Sequence, residues 1–130
     1  HLAKTVDFIM VHIHPLWAGT SLSDAVSFTS RIFHEIQEIH PNKKIIIGET
    51  GWATSVHNQG EQAKLIKGQT GIIEQYNFYR DIMAWSIKNK VTTFFFEAFD
   101  EKWKGGDHPN EVEKHWGLYY SNRTPKSEIK

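Results

Sequence analysis

The sequence contains no cysteine. Disulfide bridges and thiolate metal sites are therefore excluded, although a secreted protein can also do without cysteine and the compartment stays open. No excess of either charge exists either. Fifteen Lys and Arg balance fifteen Asp and Glu, which argues against a nucleic acid or an acidic membrane recruited by bulk charge. No apolar run approaches the roughly 20 residues of a membrane-spanning helix. No leader-type segment opens the chain, and the start at His1 rather than Met suggests that the natural N-terminus has been removed. Low-complexity stretches are absent, as are repeats.

What is present is a chain of 130 residues, 39% hydrophobic, which is enough for one packed core and too apolar for wholesale disorder. Aromatic residues are plentiful: five Trp, eight Phe and four Tyr, with eight His besides. Most aromatics belong to cores, but Trp on loops suits flat, neutral partners such as sugar rings.

Residues 6–13 form an apolar run ending at His14-Pro15, read as a buried strand because Pro suits a strand end better than its middle. Val26, Phe28, Ile32, Phe33, Ile36 and Ile39 recur at helical spacing over 23–40, with Ser21 or Ser23 as N-cap and Pro41-Asn42 as the stop. Ile45, Ile46 and Ile47 are consecutive β-branched residues and predict a strand buried on both faces. Residues 53–70 read as a long polar loop. Residues 71–89 return to helical spacing, and residues 91–100 read as a third buried strand. A charged, Gly-rich loop covers 101–116, a short extended piece covers 117–120, and Thr124-Pro125 reads as the start of a last helix. Strands alternating with helices imply parallel pairing and right-handed crossovers.

In parallel α/β folds, function gathers at the carboxyl ends of the strands. Here those ends carry His12, His14 and Trp17, then Glu49 and Trp52, then Glu97, Asp100 and Glu101. A carboxylate closing an apolar strand is costly unless solvated or paired. For Glu49 the plain reading is a solvated group or an ion-pair partner. The functional reading is a nucleophile that attacks an anomeric carbon, with Lys104, His12 and His14 as the donors that keep it ionised. Trp52 is either a loop anchor or a sugar platform. Trp103 and Trp116 are open between packing and stacking. Glu101, Lys104 and Glu113 read either as a solvated loop or as a charge network around the site. Two histidines in His12-Ile13-His14 share one strand face, but a metal site needs three or four ligands. Hydrogen bonding to sugar hydroxyls or to Glu49 is the preferred role.

The segments IIIGETGW, FFFEAFDEKWK and EKHWGLYYSNRTPK, in this order and spacing, resemble glycoside hydrolase family 17, the β-1,3-glucanases and related glucanosyltransferases, and most closely its bacterial members. The resemblance runs through essentially the whole chain. It implies an α/β fold, the C-terminal portion (about strands six to eight) of a (β/α)8 TIM barrel, so that residues 1–130 are a partial catalytic domain. A full barrel needs about 250 residues. It further implies retaining chemistry with Glu49 as nucleophile at the end of strand seven. It places family acidic and lysine positions on Glu101, Lys104 and Glu113. Plant members carry Asn and Tyr where this chain has His12 and His14.

The family's acid/base Glu belongs to strand four, so it is expected to be missing here and the isolated chain to be inactive. Expected partners are a β-glucan, contacted by His12, His14, Trp17, Trp52, Glu97, Glu101, Trp103, Lys104, Glu113 and Trp116, and a complementary barrel fragment or a second copy. No cofactor or metal is required. An extracellular or periplasmic location follows from the resemblance alone.

Overall fold

A computed structural model describes residues 2–127. The chain runs β1 (Phe8–His12), α1 (Leu22–Ile39), β2 (Lys44–Thr50), α2 (Gly60–Leu65), α3 (Ile72–Asn89) and β3 (Thr93–Phe95), with single 3-10 turns at Leu2–Lys4 and Val112–Lys114. The three strands form one sheet in the order β1-β2-β3, and both pairings are parallel. The strand–helix alternation thus delivers the parallel arrangement that it predicts.

Apolar periodicity decides which sheet face is covered. Ile9, Val11, Ile45 and Ile47 pack with Phe28, Ile32, Phe33 and Ile36 of α1. Ile45, Ile46 and Ile47 are all buried. A second cluster joins Phe78 and Ile82 of α3 to Leu16, Trp52, Val112 and Trp116 of the loops beyond the strands. The opposite sheet face is open: Phe8, Met10 and Phe94 are half exposed.

Four local expectations are corrected. The long loop over 53–70 contains the short helix α2. The third strand is only three residues long. From Glu97 onward the backbone leaves β2 and pairs with residues 116–119: Glu97 N–H donates to Trp116 O, Leu118 N–H to Glu97 O, and Asp100 N–H to Tyr119 O. No last helix begins at Thr124. Pro125 instead bridges antiparallel to Tyr119, a role open to Pro because that pairing needs no N–H from it. Residues 128–130, which complete that prediction, lie outside the described residues. Ser21 is the N-cap of α1 by position, but its hydroxyl bonds the Asp24 carboxylate and Ser23 rather than the backbone.

Two features hold the loops beyond the strands. The Lys126 ammonium donates to Asp100 Oδ1 at 2.7 Å, to Thr54 Oγ1 at 2.9 Å and to the His115 carbonyl at 3.3 Å. Asp100 Oδ1 also accepts from Gly117 N–H at 3.0 Å. Burial pushes the Lys126 amine below its usual value, and the Asp100 carboxylate opposes that shift. The Gln75 side-chain amide, buried on α3, donates to the Trp52 and Trp116 carbonyls at 2.8 and 3.1 Å.

Gly51 lets β2 approach the chain beyond β3. A Cβ there would lie 2.0 Å from the Phe96 carbonyl oxygen and 3.3 Å from the Trp116 ring. Gly51→Ala is expected to lower unfolding free energy by about 2 kcal/mol. Lys126→Met, which strands the Asp100 carboxylate, is expected to cost about 3 kcal/mol. Denaturant melts of each variant against wild type check both values, and a midpoint unchanged by either substitution contradicts the packing described.

Candidate active site at the strand ends

Glu49 owes its direction to one extra residue in β2. Along β1 and β2 the pairing runs Ile9 with Ile45 and Val11 with Ile47, then jumps to His12 with Glu49. Gly48 is the residue passed over. The same stretch is irregular against β3, where Ile47 pairs with Thr93 and Thr50 with Phe95. A bulge re-aims the side chains that follow it. Here it brings Glu49 level with His12 instead of with the helix-facing Ile13. Glycine at 48 leaves room for the Met10 side chain, whose Cγ lies 2.4 Å from where a Cβ would stand.

The two histidines expected near Glu49 are there. His14 Nε2 lies 3.1 Å from Glu49 Oε2, and His12 Nδ1 lies 3.4 Å from the same oxygen. The Glu49 side chain is 33% exposed, so the carboxylate faces solvent while one of its oxygens is held. The His14 ring is fixed edge-on to Phe96 and Trp116, with centroids 5.6 and 5.5 Å away.

Lys104 does not serve Glu49 as expected. Its ammonium pairs with Glu97 Oε2 at 2.7 Å and with Glu101, and it sits 4.8 Å above the Phe96 ring. All three charged residues belong to the segment after β3, which closes its own network. Burial pushes the Glu97 carboxyl above its ordinary value despite the lysine. The hydrogen bond from Lys104 lowers that of Glu101. Burial works to lower the Lys104 amine, but its two carboxylate partners outweigh it and the net direction is up.

The tryptophans divide. Trp52 and Trp116 are 0% and 1% exposed, so neither presents a face to a sugar. Trp52 stacks obliquely on Phe78 and its indole N–H donates to the Gln69 carbonyl at 2.9 Å, which makes it the loop anchor. Trp103 is 76% exposed, beside Lys104 at 5.7 Å. Trp17 and Glu113 line a separate hollow of about 450 Å³ with His57, Glu61, Gln62 and Glu111.

Four buried side-chain polar atoms among the described residues have no hydrogen-bond partner, and three of them belong to this region: His14 Nδ1, Glu97 Oε1 and Trp116 Nε1. Such orphans are costly in a purely structural core. Among the described residues, no group of three or more His, Asp or Glu is disposed to hold a metal ion. Phe96, Gln75 and Lys126, which fix the site residues in place, were not singled out from the sequence, whereas Asp100 was noted there only as a carboxylate at a strand end.

The model of the BtgE/BtgC glycoside hydrolase domain matches residues 1–117. A glucan 1,3-beta-glucosidase of Schizosaccharomyces pombe is 32% identical over 126 residues, covering 92% of this chain and 37% of that protein. A putative glucan endo-1,3-beta-glucosidase, btgC, of Aspergillus niger is 33% identical over 139 residues, covering 99% of this chain and 20% of the relative. Among solved structures, an endo-laminarinase from Formosa superposes with a TM-score of 0.69 at 30% identity, over 92% of this chain and 37% of that one. A family 17 β-1,3-glucanosyltransferase from Rhizomucor miehei shares the fold, with a TM-score of 0.83 at 24% identity, over 99% of this chain and 44% of that one. The chain therefore spans less than half of each of these relatives. With its motifs, its parallel sheet and these matches taken together, it belongs to the BtgE/BtgC glycoside hydrolase domain family, of the family 17 type.

Proposed function

We propose that this segment supplies the nucleophile half of a retaining active site that acts on β-1,3-linked glucan. One observation carries the reading: a carboxylate at the end of a parallel strand, re-aimed by a bulge and gripped at one oxygen by two histidines. The free oxygen of Glu49 attacks the anomeric carbon, the glycosidic C–O bond breaks, and a glycosyl ester forms on Glu49. Attack by water on that ester releases the sugar and restores the carboxylate.

The leaving oxygen needs a proton from a second carboxyl group about 5–5.5 Å away. We assign that role to a residue outside these 130, in keeping with the share of its relatives that the chain spans. The Glu97–Lys104–Glu101 network then positions and screens the site. Trp103 and Trp17 are the tryptophans with surface left for sugar, and His12, which is half exposed, is free to contact hydroxyls. The open sheet face with Phe8, Met10 and Phe94 is assigned to the remainder of a (β/α)8 barrel, of which this chain forms about strands six to eight.

In the intact protein, Glu49→Gln is expected to lower kcat/KM on laminari-oligosaccharides by roughly 10⁴-fold, and a 2-fluoro-glucoside is expected to label the peptide containing Glu49. Full activity in the variant, or a label elsewhere, sinks the assignment. Product analysis separates water from sugar as acceptor, and so hydrolase from glucanosyltransferase.

Glu97 generates a pH prediction. Its folded value is raised above the ordinary 4.5 by burial. Its contribution to stability is therefore present below that value and is lost as pH rises through the raised one. Glu97→Gln carries no ionisable proton at this position, so its denaturation midpoint is expected to fall less than that of wild type across the window just above pH 4.5. Parallel pH series on the two proteins, with identical slopes, would refute this.

A further inference from the structure

Away from Glu49, a second polar cluster joins the loop after β2 to the loop after β3. The His57 and His108 rings lie face to face, 3.6 Å between centroids and 10° from parallel. His57 Nδ1 is 3.4 Å from Glu111 Oε1, and the Gln62 amide donates to the other Glu111 oxygen. Gln62 Oε1 accepts two backbone N–H groups, one from each loop: His57 and Val112, both at 2.9 Å. His108 Nδ1 accepts the backbone N–H of Asn110 at 3.1 Å. His115 Nε2, 2.8 Å from the Pro109 carbonyl, ties down the same turn.

These contacts respond differently to protons. A nitrogen that accepts an N–H carries no proton, so the bond from Asn110 requires an unprotonated Nδ1 on His108. A proton on His57 Nδ1 would face the Glu111 carboxylate. A proton added to His108 breaks the bond from Asn110 and sets a second cation directly against the first. His108 is exposed, but no carboxylate of the cluster pairs with it: Glu111 is already engaged by His57 and Gln62, while Glu61 and Glu113 line the same hollow as His57 without forming an ion pair with either ring among the described residues. Asp107 precedes His108 in the chain and is exposed.

We propose that the His57–His108 stack is a proton-released clasp. At neutral pH it holds residues 106–113 against residues 55–62, and His57, Glu111, Val112 and Glu113 of those segments form one wall of the hollow beside Trp17. Acidification releases that wall and widens the hollow, leaving the sheet and Glu49 in place. This inference does not rest on the proposed glucan chemistry, and its test does not read activity.

Hydrogen exchange followed by mass spectrometry on the intact protein, corrected for the intrinsic pH dependence of exchange, tests it between about pH 7.5 and about pH 5, the span over which imidazole changes charge. Peptides from 106–113 and 55–62 are expected to lose protection together, by about tenfold, while the β2 peptide over 44–50 keeps its own. His108→Phe retains a stacking face but takes no proton, and is expected to remove the pH response from both loops. A wild-type response that is absent, or equal in β2, overturns the proposal with no variant needed. A His108→Phe protein that still releases both loops on acidification overturns it as well.

Discussion

A charge at the end of an apolar strand is the constraint that shapes this molecule. Glu49 follows three buried isoleucines, of which Ile45 and Ile47 pack against α1, and a carboxylate in that row would be poorly solvated. The chain resolves the conflict through backbone geometry. One additional residue in β2, small because Met10 lies over it, turns the carboxylate out of the helix-facing row and level with His12. The same strand can then contribute both core and chemistry.

The charges after β3 obey a related logic. Glu97 is the more buried of its pair, and its carboxyl is held high by desolvation. Lys104 sits between it and Glu101, over the face of Phe96. The cation therefore belongs to the loop that bears it. Glu49 is left to its histidines, and the site has two electrostatic compartments instead of one shared network.

Much of this was legible in the residues. Period-3.6 spacing located α1 and α3, the three isoleucines located β2, and alternation implied parallel pairing. The pairing of His12 and His14 with Glu49 followed from their places at adjacent strand ends. Other features had no local signature. The early end of β3 arises from competition: residues 97–100 found partners in residues 116–119, a distant pairing that no period announces. The six residues of α2 are too few to show a helical repeat. Trp52 and Trp116 were open between packing and stacking, because position in a loop does not reveal which side of the core an indole enters. Lys126 has no sequence signal that marks it for burial, yet its ammonium is buried. Gln75 did leave a trace, as an amide inside the apolar stripe of α3.

That amide has a mechanical consequence. By donating to the carbonyls of both Trp52 and Trp116, one side chain suspends the segments following β2 and β3 from a common beam. Thermal displacement of α3 carries the two segments in the same direction. Spacing between groups on neighbouring segments is then better conserved than the absolute position of either one.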